Sequence, residues 1–357
     1  MNRPNELPNR RGFLTTATTG TAAWCAASPL LAAAPQNAGG NEEPGERNPT
    51  EALRARLVEC LGGDWPEPCP LAPRLIDTIP AAGYRIESIT YEVEPGDRVP
   101  AMVLIPDTAS ADRPAPAIAV WHQHNGEYQL GKSEPAGLAG NPMHHTGAEL
   151  AKLGYVVICP DALCFEERQD PAGKLTGGNF ERFEFLRYVV NGQSMAWKNV
   201  LDMRRAIDYL VARPEVDADR IGCYGHSMGS THAWLVGPHE PRLKAIVGNC
   251  CLPTYSAIHD TKILHCFPNF VPGWLQHGDT PEIAGLIAPR ALHLNLGETD
   301  GGSPISHARE GIERIGQMYA VAGAADRFSH FIEPDTGHVL SPEMWRRTKE
   351  FFAKHLS

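Results

Sequence analysis

The sequence predicts an α/β fold, a mostly parallel central sheet with helices on both faces, and three observations carry that reading. Short apolar runs recur at Ala117 to Trp121 and Tyr155 to Cys159, as in strands covered on both sides, and Leu243 to Val247 and Ala291 to Leu296 read as further strands. Stretches with apolar residues at helical spacing lie between them. The two kinds of segment alternate after an opening hairpin, which is the order of a parallel sheet with crossover helices.

In chain order, Leu53, Leu57 and Cys60 space a short helix over 51–61, and a Pro-rich connection follows through Pro80. Tyr84 to Val93 and Val99 to Ile105 read as strands joined at the Gly96-Asp97 turn. Ala148 to Leu153 closes a helix before Gly154. Met195, Val200, Met203, Ile207, Leu210 and Val211 mark one face of a helix over 194–212. A buried strand, Arg220 to Tyr224, comes next, then a helix beginning near Ser230. Arg327 to Ile332 is a further strand, and 305–322 and 342–355 are helices. Two stretches interrupt the alternation, Leu163 to Val190 and Leu252 to Ile287. Both are longer than ordinary connections and follow strand C-termini, so they are expected to shape an entrance or a lid.

The 357 residues, 42% hydrophobic and 21% charged, suit one large domain with a substantial core. Ahead of it, Asn9-Arg10-Arg11-Gly12-Phe13-Leu14, a mildly apolar run to Leu31 and Ala32-Ala33-Ala34 read as a twin-arginine export signal over 1–34. Residues 35–50, rich in Pro, Asn, Gly and Glu, read as a linker, which leaves 51–357 as the domain. The leader holds Arg3, Arg10, Arg11 and Glu6. Its removal takes 32 basic residues to 29 and 42 acidic residues to 41, a net charge of −12. An acidic chain without a basic block is a poor partner for nucleic acid or anionic membrane, and the apolar run is too short for a stable membrane anchor. Eight cysteines remain, none in C-x-x-C spacing. Cys60 with Cys69 is the best local disulfide pair, whereas Cys159 and Cys223 belong to core strands as buried thiols.

The chemistry centres on Gly225-His226-Ser227-Met228-Gly229, placed between a strand and a helix start. A serine on so sharp a turn needs small neighbours two positions to either side, where strand and helix nearly touch, and Gly225 and Gly229 meet that need. A serine hydroxyl is a poor nucleophile without a base, and the base needs an acid to hold its tautomer. Asp300 follows the strand ending at Leu296, and His338 follows the strand ending at Ile332, in the order Ser, acid, His. Glu298 is the rival acid. His226 is fixed by the turn and is a poor base for its own neighbour. Two backbone donors are needed for a developing oxyanion. The amide of Met228 is one, and His122-Gln123-His124-Asn125-Gly126 offers the other, with the amide of His124 favoured. The alternative for His122 and His124, a metal pair, lacks a third ligand nearby in sequence, so neither metal nor cofactor is expected.

With these stretches in place, the chain resembles the α/β-hydrolases from about Leu71 to its C-terminus, and more narrowly their acetyl xylan esterase-like and dienelactone hydrolase-related branch. The segments GYRIESITYEVEPGDRVPAMVLIP, WHQHNG, GYVVICPDALCFEER, RIGCYGHSMGS, IAPRALHLNLGETD and TGH carry the resemblance. It implies an α/β-hydrolase fold and a cofactor-free serine carboxylesterase acting on acyl groups of carbohydrates or small esters. Dienelactone hydrolases proper use a cysteine where this chain has Ser227, which counts against their reaction. The usual Gly-Phe-Gly after Asp161 is replaced by Cys164-Phe165-Glu166, so no family role passes to Asp161 or Arg168.

The leading expectation is therefore an exported esterase that removes short acyl groups, acetyl above all, from a carbohydrate. A prolyl-oligopeptidase-like peptidase is a second reading, disfavoured because about 50 residues ahead of the domain leave no room for a propeller. A non-catalytic binding protein on the same scaffold is a third. Tyr255, Phe267, Phe270 and Trp274 in the second insertion read equally as a sugar-stacking wall or as that insertion's own core.

Overall fold

The computed structural model describes residues 48–357. The export signal expected over 1–34 and the linker up to residue 47 lie outside the described residues. The first helix, α1 (Pro49–Leu61), begins two residues before the expected boundary. Asn48 caps it by accepting from the Thr50 amide at 3.0 Å, and Pro49 takes the first turn, where a missing N–H costs nothing.

Nine strands form one sheet: β1 (Arg74–Ala81), β2 (Tyr84–Glu94), β3 (Asp97–Pro106), β4 (Ala115–Trp121), β5 (Val156–Pro160), β6 (Val216–His226), β7 (Leu243–Asn249), β8 (Ala291–Gly297) and β9 (Phe328–Glu333). Their order is β1-β2-β3-β5-β4-β6-β7-β8-β9. The first three and the β3–β5 pair are antiparallel, and every pair from β5 to β9 is parallel. Helices α2 (Thr146–Lys152) and α9 (Pro342–His355) cover one face through Leu150, Met344 and Phe352. The other face carries α1, α4 (Met195–Val211), α5 (Met228–Val236) and α8 (Ile305–Val321) over Val200, Trp234 and Ile315. Strands β5 and β8 are buried along their whole length, as a sheet covered on both sides requires. The α/β-hydrolase expectation is met.

Two expectations are corrected. Residues 74–81 are strand β1, not connection. Six of its eight residues are exposed, so no alternation marks it, and Pro80 sits at the sheet edge where a missing N–H is tolerated. Cys60 and Cys69 are free thiols and form no disulfide, while Cys159 and Cys223 are buried in β5 and β6 as expected.

The connectivity places the site. After β4 the chain moves to β5 on one side, then crosses back to β6 on the other. The C-terminal ends of β4 and β6 therefore open a crevice at the point where strand order reverses, the usual ligand position of such sheets. Both long insertions rise beside it. The first contains α3 (Gly178–Val190), and the second contains α6 (Tyr255–Thr261) and α7 (Thr280–Gly285).

Candidate active site

Ser227 occupies the tip of the turn between β6 and α5 with φ 57° and ψ −120°, a conformation costly for any residue with a Cβ. The turn holds because its flanks are bare. A Cβ on Gly225 would lie 1.9 Å from the Gly229 carbonyl oxygen, and one on Gly229 would lie 2.1 Å from the Trp121 carbonyl oxygen. The second contact presses the start of α5 against the loop after β4. Ser227 donates its amide to Asn249 O at 2.9 Å, which ties the turn to the end of β7.

His338 lies between Ser227 and Asp300. Its Nε2 is 2.8 Å from Ser227 Oγ, and its Nδ1 is 2.8 Å from Asp300 Oδ2. Asp300 is buried, and its other oxygen accepts the Gly302 amide at 2.8 Å. A carboxylate so placed keeps the Nδ1 proton on the imidazole and leaves Nε2 free to accept from the serine. Glu298 faces outward and pairs with Arg309 at 2.9 Å. His226 is buried, with Nδ1 accepting from Asn249 Nδ2 at 2.8 Å, and its ring packs 5.2 Å from that of His338. Burial, reinforced by His144 and His338, drives its pKa far below the usual histidine value, so it is a neutral packing partner.

The amide of Met228, the first residue of α5, is an orphan helix donor beside Ser227. Among the described residues neither it nor the amide of His124 donates to a protein acceptor. The loop carrying His124 is pinned by His122, whose Nδ1 meets Gln123 O at 2.7 Å and whose Nε2 accepts the Ala162 amide at 3.0 Å. His122 is therefore a structural strut between the β4 and β5 loops. Burial lowers its pKa to about 4 and keeps it neutral.

These groups open into a cleft of about 550 Å³. Beyond Ser227, Asp300 and His338, its walls come from the β4 loop (Gln123 to Gly126, Tyr128), from Glu181 of the first insertion and from Leu264 to Phe267 of the second. Glu181 is 2% exposed and takes hydrogen bonds from His124 Nε2 at 3.1 Å and from the Tyr128 hydroxyl at 2.7 Å. No sequence signal singles it out, since one glutamate in a charged helix looks like any solvated one. Of the aromatic residues in the second insertion, Trp274 and Tyr255 are buried and Tyr255 stacks on Phe270, so they form that insertion's core. Phe267 alone of the four reaches the cleft.

Asp161 and Arg168 stand outside the cleft. Arg168 is buried and donates to Asp202 Oδ2 at 2.6 Å. Asp161, Glu166 and Glu167 surround the fully buried Lys132, whose Nζ lies 2.9, 2.7 and 2.7 Å from them. Despite burial, which works against its charge, Asp161 and its neighbours hold Lys132 protonated. This trio is the single carboxylate group with metal-ligand spacing among the described residues, and the ammonium fills it.

Ser227, His338 and Asp300 thus form one hydrogen-bonded chain at the switch point of an α/β-hydrolase-type sheet, with Asp300 buried and His338 open to the cleft. Residues 100–264 match the dienelactone hydrolase family. It is similar to "Putative hydrolase YtaP" of Bacillus subtilis (strain 168), with 29% identity over 315 residues that cover 85% of this chain and 99% of the relative. Among solved structures, a "putative acetyl xylan esterase" from Bacteroides fragilis NCTC 9343 superposes with a TM-score of 0.65 at 18% identity, covering 80% of this chain and 74% of that one. A glucuronoyl esterase from Solibacter usitatus does so with a TM-score of 0.63 at 15% identity, covering 86% and 92%. At these identities the structural likeness speaks for the fold, and the match of residues 100–264 together with the hydrolase relative supports a hydrolase.

Proposed function

We propose that this chain is a serine carboxylesterase that hydrolyses short acyl esters, acetyl foremost, on carbohydrate. The observation that carries the reading is the continuous pair of 2.8 Å hydrogen bonds from Ser227 through His338 to Asp300. Ser227 Oγ attacks the ester carbonyl as His338 Nε2 takes its proton, and Asp300 stabilises the imidazolium that forms. The amides of Met228 and His124 receive the oxyanion. His338 then returns the proton to the departing alkoxide, which leaves an acyl group on Ser227. Water, activated by the same imidazole, releases the acid. None of these steps calls for a metal or organic cofactor.

The carbohydrate part of the reading draws on the named activities of the structural neighbours and on an open cleft large enough for a sugar unit. The proposed site of action is outside the cytoplasm, which the Asn9 to Ala34 segment supports as a twin-arginine leader. We place no nucleic acid and no membrane among its partners, because the chain is acidic. Kinetics on short-chain p-nitrophenyl esters and on acetylated sugars test the activity. Turnover that falls with acyl length and is abolished in Ser227→Ala is the expected result, and turnover unchanged in that variant overturns the mechanism.

A further inference from the structure

We propose that Glu181 sets the charge selectivity of the cleft, so that esters of uncharged hydroxyl-bearing alcohols are accepted and those with a carboxylate near the ester are turned away. The inference rests on the esterase reading above and concerns which alcohol that site takes. Glu181, on α3, lines the same cleft as Ser227 behind His124 and Tyr128 and is 2% exposed, so its charge acts through protein more than through water. Among the described residues no lysine or arginine lines the cleft. The nearby Arg187 is committed to Glu184 on the same helix and lies outside the lining.

Neither partner of Glu181 cancels its charge. His124 Nδ1 accepts the Gly126 amide at 3.0 Å, so the ring's proton sits on Nε2, facing Glu181, and the imidazole is neutral. Tyr128 gives its hydroxyl proton to Glu181 at 2.7 Å, and burial together with that carboxylate holds the phenol pKa above its usual value, so it too stays neutral. The wall that Glu181 contributes is thus anionic, with no lysine or arginine in the cleft among the described residues. An incoming carboxylate about 10 Å away at an effective dielectric near 20 loses roughly tenfold or more in kcat/KM.

The test compares two monoacetylated methyl glycosides that differ only at C6, a glucoside and the matching glucuronoside, at low and at high salt. The account expects the neutral ester to be hydrolysed at least about tenfold faster in kcat/KM, with the ratio shrinking as salt rises. Glu181→Gln should bring the ratio toward one by raising turnover of the charged ester, while Glu181→Asp keeps the discrimination. Equal kcat/KM for the two esters in the native enzyme at low salt overturns the inference while leaving the esterase reading intact. Hydrolysis of neither sugar ester or simple acetate overturns that reading and this inference with it. The salt dependence of the native ratio decides the matter if Glu181→Gln does not fold.

Discussion

Asp300 and Glu298 stand two residues apart in one loop, yet only Asp300 turns inward, 2.8 Å from His338 Nδ1, while Glu298 pairs with Arg309 at the surface. The backbone decides this. The Asp300 amide bonds back to Gly297 O and its carboxylate accepts from Gly302, which closes a tight turn that aims the side chain at the imidazole.

In the proposed mechanism the loop therefore contains one acid of catalytic consequence. Asp300→Asn should lower kcat by about 10³–10⁴-fold with KM little changed, because the amide no longer holds the Nδ1 proton on the histidine. Glu298→Gln should stay within about twofold of native, since an exposed ion pair contributes little. Steady-state kinetics on one acetyl ester decide it, and the reverse ranking of the two variants contradicts the assignment.

The glycines of the turn leave no room for a methyl group. Gly225→Ala would set a Cβ 1.9 Å from a carbonyl oxygen, so strand and helix must part, at a cost of about 3 kcal/mol or more. Gly229→Ala should behave alike. Gly316→Ala in α8, where a Cβ meets nothing within 4 Å, should be neutral or stabilising by about 0.5–1 kcal/mol. Thermal unfolding of the three variants measures this, and a native-like Tm for Gly225→Ala would contradict the packing described.

Stability should fall on acidification through pH 6.5. Burial lowers the pKa of His122 and of His293 to about 4 each, whereas an unfolded histidine titrates near 6.5. Between those values the unfolded chain binds protons that the folded chain refuses. Their contribution is whole above pH 6.5 and is lost as pH falls toward 4, by about 2 kcal/mol per histidine at pH 5. Urea unfolding at pH 5 and 7 checks the sign, and His293→Gln should reduce the slope. Greater stability at pH 5 than at pH 7 contradicts it.

Much of this fold was legible because buried parallel strands write themselves as unbroken apolar runs, as β4 and β5 do. Ser227, Asp300 and His338 stood out because each follows a segment that reads as a strand and because Gly225 and Gly229 mark a turn that tolerates nothing larger. Strand β1 was not, since a solvated edge strand carries no pattern. Glu181 was not, because its importance comes from an insertion folding across the cleft to meet His124 and Tyr128, a contact between residues 57 and 53 positions apart. Local periodicity holds no record of it.

The most direct test of the account is covalent labelling of the native protein with a fluorophosphonate, read by intact mass and peptide mapping. One adduct per chain is expected, on Ser227, absent from Ser227→Ala and strongly slowed in His338→Ala. A protein that folds as described and takes up no label, or is labelled at another residue, contradicts it.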